Sequence, residues 1–133
     1  MQPNIGIKPE NLSGVSHVLS GILADEFLLY TKTRNAHWNV EGPDFHDKHK
    51  FFESQYEQLD EIMDEVAERI RMLGHYAPAT LKAFLQLTHL TEQMRENIDR
   101  FANEFKDLGT SDFITGLMEE HEKMAWMLRS HLK

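Results

Sequence analysis

The sequence predicts an all-α protein, a four-helix bundle with a short extra helix between helices two and three. Three observations carry this. Apolar residues recur at helical spacing through most of the chain. No stretch alternates apolar and polar as a half-buried strand does. Glycine and proline gather in the gaps between periodic segments, where helices stop and start.

Residues 1–10, with Pro3 and Pro9 and little periodicity, are expected to form a loose arm; residues 11–133 form one domain, as a chain of 133 residues suggests. Asn11 or Ser13 is expected to cap helix one. That helix runs to about Val40 on Val15, Val18, Leu19, Ile22, Leu23, Phe27, Leu29 and Tyr30. Glu41-Gly42-Pro43 ends it, with Pro43 starting the next helix. Helix two, about 44–73, is amphipathic on Phe45, Phe52, Tyr56, Leu59, Ile62, Met63, Val66, Ile70 and Leu73, and Gly74 is its expected stop. His75-Tyr76-Ala77-Pro78 makes a turn and a short helix follows from Thr80. Helix three spans Leu90 to Leu108. Gly109-Thr110-Ser111 is read as a break, with Ser111 capping a fourth helix that runs to the C-terminus. Helices one and two are then roughly 40–45 Å long, and helix three only about 28 Å. It is too short to cover its neighbours.

Composition removes several function classes. There is no cysteine, so disulfides and thiolate metal sites are excluded. The net charge of −8 argues against general binding to a phosphate backbone and suits a protein that attracts cations. The first ten residues lack a basic start followed by an apolar core, so no signal peptide is expected. No run approaches the ~18 apolar residues of a membrane helix. A cytoplasmic location follows as the expectation.

The chemistry concentrates between His37 and Glu68. His37 and His49 stand twelve residues apart, and His49/Glu53 and Asp64/Glu68 are pairs at i, i+4 spacing on one helix. Imidazole and carboxylate together suit a borderline divalent metal such as iron. Geometry then limits how they act. Along an unbroken helix, Asp64 lies roughly 22 Å from His49 at ~1.5 Å rise per residue, whereas metal–ligand bonds are about 2 Å. The histidines and the Asp64/Glu68 pair of one chain cannot hold the same ion. If they cooperate, two subunits must meet, and an antiparallel two-fold pairing makes two identical sites. A ferritin-type di-iron site inside one bundle calls for Glu-x-x-His on two helices, and no glutamate in the chain is followed by histidine at i+3.

These residues resemble the Dps family, the ferritin-like miniferritins. The resemblance rests on Asn35-Ala-His-Trp-Asn-Val-Glu-Gly-Pro-Asp-Phe, then His49, then Met63-Asp-Glu-Val-Ala-Glu-Arg, and on the closing Trp126-Met-Leu-Arg, and it covers about Asn11 to Leu132. It implies a ferritin-like fold and a hollow shell of twelve subunits built from two-fold dimers. It implies a ferroxidase that oxidises Fe(II), typically with hydrogen peroxide and otherwise with dioxygen, stores ferric mineral and protects against oxidative damage. By the resemblance His37 and His49 are one chain's ligands, Asp64 and Glu68 the partner chain's, and Glu53 stands where the family usually has Asp. Zinc or another divalent metal can substitute for iron. Trp38 falls at a tryptophan beside the centre, where it packs or intercepts a one-electron oxidant. Asp107 and Asp112 fall near three-fold pores; helix capping or solvation is the competing reading of each.

Two departures bear on function. The chain has no lysine-rich tail, which argues against DNA binding; the alternative function is a DNA-compacting or non-enzymatic shell protein of the same fold. The stretch between Leu90 and Leu108 is shorter than the family's by something like two dozen residues, with the join expected near Glu92-Gln93-Met94. His17, His46, His75, His89, His121 and His131 show no acidic partner pattern and are expected to be structural or exposed. Glu57, Asp60 and Glu61 are more readily a solvated face than mineral sites. The methionines sit in apolar rows as core filler.

Overall fold

The structure, a computed structural model, describes residues 3–88 and 100–131. Its elements are α1 (Pro9–Asn39), α2 (Phe45–Met72), a short α3 (Leu81–Leu87), a π-helical turn (Arg100–Glu104) and α4 (Leu108–His131). Among the described residues there is no strand. The expected join at Glu92–Met94, most of the expected third helix and His89 lie outside the described residues.

α1 begins two residues earlier than the arm-and-domain division expected, because Pro9 occupies its first turn, where a missing N–H costs nothing. Neither Asn11 nor Ser13 caps it: the flanking residue is Lys8, without a side-chain cap. Asn11 sits inside the helix, and its Nδ2 donates to the Phe105 carbonyl at 2.9 Å. α1 also holds a window of mean hydropathy 1.3, long and apolar enough by length and composition to cross a membrane, contrary to expectation. Half of that window is buried inside the bundle, and its apolar residues are those of the core.

α2 is continuous and ends as Gly74 predicts. Gly74 takes φ +85°, its N–H donates to the Arg71 carbonyl at 3.0 Å, and His75 N–H donates to the Ile70 carbonyl at 3.3 Å. These are the two bonds of a Schellman motif, which needs a residue comfortable at positive φ. α3 is capped by Thr80, whose Oγ1 accepts from Ala83 N–H at 3.1 Å. It is tied to α1 by a Phe27–Phe84 ring stack at 4.6 Å and a Thr88–Asp25 hydrogen bond of 2.6 Å.

The start of α4 corrects the expected break. Gly109, Thr110 and Ser111 lie in its first turn. Asp107, not Ser111, is the cap: its Oδ1 accepts from Thr110 N–H at 2.9 Å. The π-turn before it, closed by Phe105 N–H to the Arg100 carbonyl at 3.0 Å, and Lys106 at φ +55° reverse the chain into that cap. Leu108 therefore belongs to the last helix and not to the third.

The main core gathers Leu12, Val15, Leu19, Ile22 and Leu23 of α1, Ile62, Val66, Ile70 and Leu73 of α2, and Phe101, Ile114 and Leu117. It fills the end of the bundle where α1 begins, α2 ends and α4 begins. The opposite end has fewer buried apolar groups, and a cavity of about 170 Å³ between α1, α2 and α4 lies there, bordered by Leu29, Phe52, Leu59 and Met124. The histidine pair stands at that end.

Candidate metal centre

His37 is in the last turn of α1 and His49 in the second turn of α2. Gly42, at φ +118°, turns the chain between them. The two histidines close the resulting hairpin reciprocally. His37 Nδ1 lies 2.9 Å from the His49 carbonyl, and His49 Nδ1 lies 2.9 Å from the His37 carbonyl. A carbonyl only accepts, so each Nδ1 carries the proton. In each neutral ring Nε2 then holds the lone pair, the form in which imidazole binds a metal. The rings stack at 3.7 Å and 23°. His37 is only 7% exposed, with Tyr56 edge-on at 5.0 Å; Phe45 stacks on His49, also at 5.0 Å. Hydrogen bond and packing together hold both rings in place.

Glu53 stands one turn beyond His49. Its carboxylate is bound by Lys50 at 2.8 Å. That hydrogen bond and the lysine's charge hold the Glu53 carboxyl below the usual carboxylate range, and His37 and His49 push the same way. A metal must compete with Lys50 for the Glu53 carboxylate. Lys50 is raised in turn by its bond to Glu53.

Asp64 and Glu68 lie far along the same helix, both exposed. Among the described residues neither forms an ion pair, and no three histidine, aspartate or glutamate side chains of one chain come together as a metal site. The unbroken α2 keeps the ~22 Å separation that its rise per residue implies. Asp64 instead borders an open depression floored by Leu23, Phe27, Met63 and Phe84, with Asp60 and Glu61 on its rim.

The remaining expectations fare differently. Trp38 does not pack within this chain: it is 68% exposed, with the Arg34 guanidinium 5.7 Å from its ring. Asp107 is 2% exposed, engaged in its cap and 3.7 Å from Arg69. A carboxylate so buried does not line a water-filled pore, so the pore reading of Asp107 is corrected to a cap. Asp112 is exposed.

Two groupings were missed. One is a stripe on α1, Tyr30-Arg34-Trp38, in which Arg34 lies 3.7 Å over Tyr56 and its Nε donates to Tyr30 Oη at 3.0 Å. Its i, i+4 spacing was the available signal. The other is His121, expected to lack an acidic partner. Its Nε2 lies 2.8 Å from Glu26 Oε1, and Glu26 is 1% exposed. Its Nδ1 lies 2.6 Å from the Leu117 carbonyl. The partners stand 95 residues apart, and no local pattern announces them.

Long helices, a histidine pair in a locked tautomer and carboxylates on the same helix define a ferritin-like helical-bundle protein, and the family model for the ferritin-like domain matches residues 17–101. An uncharacterised low temperature-induced protein of Nostoc is 42% identical, with 98% of this chain and 86% of the relative covered. DNA protection during starvation protein 2 of Bacillus anthracis is 33% identical, covering 89% and 96%. Among solved structures, the Dps protein of Vibrio cholerae, described as a member of a superfamily of ferritin-like diiron-carboxylate proteins, superposes with a TM-score of 0.89 at 28% identity, covering 99% and 97%. Within the ferritin-like proteins, this chain belongs to the Dps family. The Nostoc alignment spans 154 positions, more than the 133 residues here. That relative therefore carries residues with no counterpart in this chain, the direction expected from the shortened stretch read in the sequence.

Proposed function

We propose that this protein is a ferroxidase and iron store. Its family supports a role in iron storage and protection; the specific activity is the proposal. His37, His49 and Glu53 of one chain, with Asp64 and Glu68 of a two-fold partner, bind Fe(II). The observation that carries the reading is the reciprocal Nδ1 lock, which leaves both Nε2 lone pairs for a metal. The partner's carboxylates are needed because α2 holds this chain's own too far away. The depression beside Asp64, apolar in its floor and acidic at its rim, suits an approaching imidazole pair.

Carboxylate ligands favour Fe(III) over Fe(II), so they ease electron loss. Two Fe(II) ions give one electron each to hydrogen peroxide, whose O–O bond breaks to give two waters with two protons taken up. Paired removal leaves no hydroxyl radical. Dioxygen is the alternative oxidant, and zinc can occupy the site without turnover. Ferric product is held in the cavity of a shell, a dodecamer by family analogy, in the cytoplasm.

His49→Ala should slow peroxide-driven Fe(II) oxidation at least tenfold, the scale on which supporting groups of metal sites act, with helicity unchanged. Oxidation at the wild-type rate would refute the assignment. Loading anaerobically with Fe(II) in excess, adding peroxide and separating by size tests storage: iron must co-elute with a large particle and not precipitate. The name of the Bacillus anthracis relative also raises DNA protection. The net charge of −8 opposes direct DNA contact, and a gel shift at physiological salt decides between them.

A further inference from the structure

We infer that the cavity between α1, α2 and α4 is a binding site for a small neutral molecule made of one apolar ring and one hydroxyl group, a phenol being the simplest. This does not depend on the metal reading. The cavity measures about 170 Å³, and Leu29, Phe52, Leu59 and Met124 are among its walls. A cavity of about 150 Å³ lined by Leu, Ile and Phe stays dry and takes up benzene, so the size here suits a single ring. Among the described residues three helices, not four, surround it. The chain that joins α3 to the π-turn is anchored elsewhere. Thr88 bonds to Asp25, at the middle of α1, and the Phe105 carbonyl to Asn11, near its start. Neither contact lies beside the cavity.

Gln55 sets the polar half of the ligand. It lies on the cavity wall and is 8% exposed, and among the described residues its side-chain amide has no hydrogen-bond partner. A buried amide left unpaired is unfavourable, and a ligand that pairs with it removes that penalty. Thr33, on the same wall, donates its Oγ1 proton to the Leu29 carbonyl at 2.9 Å, so towards a ligand it can only accept. The Gln55 amide offers both a donor and an acceptor. A hydroxyl group also donates and accepts, so it matches this wall where a hydrocarbon does not.

His121 fixes the ligand's charge. It borders the cavity but offers no free nitrogen, because Nδ1 faces the Leu117 carbonyl and Nε2 faces Glu26. With an acceptor at each nitrogen the ring donates from both, and its positive charge cancels that of Glu26. No uncompensated charge is left to meet a charged ligand. A carboxylate or ammonium entering this apolar space would lose its hydration and find no partner. The ligand is therefore neutral.

The test uses the full chain and three probes that share one ring: p-cresol, toluene, which lacks the hydroxyl, and benzoate, which is charged. Binding is followed by calorimetry and by the methyl resonance of Met124, assigned with Met124→Leu. p-Cresol should bind saturably, shift that resonance and bind roughly fivefold more tightly than toluene, the scale of one net hydrogen bond. Benzoate should not bind. Gln55→Leu should bind p-cresol no better than toluene. Ala125→Met, which fills the cavity, should bind neither; if that variant does not fold, the Gln55→Leu comparison decides. Absence of saturable p-cresol binding overturns the inference. So does p-cresol binding that leaves the Met124 resonance unmoved or persists at wild-type strength in Ala125→Met, because the ligand then sits elsewhere. A Gln55→Leu protein that keeps the wild-type preference for p-cresol over toluene overturns it too, as does benzoate binding as tightly as p-cresol.

Discussion

His121→Leu should destabilise the fold far more than the removal of one half-buried histidine suggests. Glu26 is 1% exposed, and both its oxygens lie within 3.0 Å of His121 Nε2, whose ring also donates to the Leu117 carbonyl. Taking away the imidazole leaves a buried carboxylate without its partner. Breaking such a pair costs about 3–5 kcal/mol; because His121 retains 17% of its exposure, the lower end, about 3 kcal/mol, is expected. At this chain length that lowers Tm by about 10 °C. The double variant Glu26→Leu/His121→Leu should regain most of the loss, since no buried charge remains. The pair also makes stability depend on pH. Burial lowers the His121 pKa, but the hydrogen bond and charge of Glu26 outweigh it and the net shift is upward from 6.5. A group raised in the folded state contributes fully below its unfolded pKa and loses that contribution as pH rises through the folded value. Urea midpoints at constant protein concentration should therefore fall above pH 6.5 in wild type, and the double variant should lack that component. A His121→Leu protein as stable as wild type, with the same pH profile, refutes the reasoning.

Three further outcomes follow from particular contacts. Asp107→Ala should cost about 1–2 kcal/mol by removing the cap of α4, and Asp107→Asn should cost less; urea unfolding of the two variants checks this. Gly14→Ala sets a methyl against the Phe105 ring, so overpacking of about 1–3 kcal/mol should outweigh a helix-propensity gain of at most ~1 kcal/mol. A higher Tm would mean that the ring simply moves aside. Lys50→Gln frees the Glu53 carboxylate from its competing ammonium, so Co(II) should bind more tightly in an absorbance titration; weaker or equal binding counts against Glu53 as a ligand.

Much of the fold was legible because its signals are local. The 3.6-residue spacing in α1 and α2, the Gly42 turn and the Gly74 stop each lie within a few residues of the structure they specify. The unbroken α2 was legible too, and with it the inference that His49 and Asp64 cannot share an ion within one chain. Helix starts were less so. Ser111 and Asn11 are good capping residues by type, yet Asp107 caps α4 and Asn11 reaches to Phe105, because the π-turn and the packing of α4 on α1 decide which oxygen meets which orphan N–H.

From the sequence alone come the helices, the kinds of candidate ligand and the distance that separates them along α2. Only the tertiary structure decides the tautomer of the two histidines, because each Nδ1–H donates to a carbonyl that the hairpin brings across from the other helix. Only it pairs His121 with Glu26 and sets Tyr56 and Arg34 against His37. Periodicity states which face of a helix a residue occupies. What that face meets depends on how separate helices pack, and partners 95 residues apart share no local pattern that could announce it.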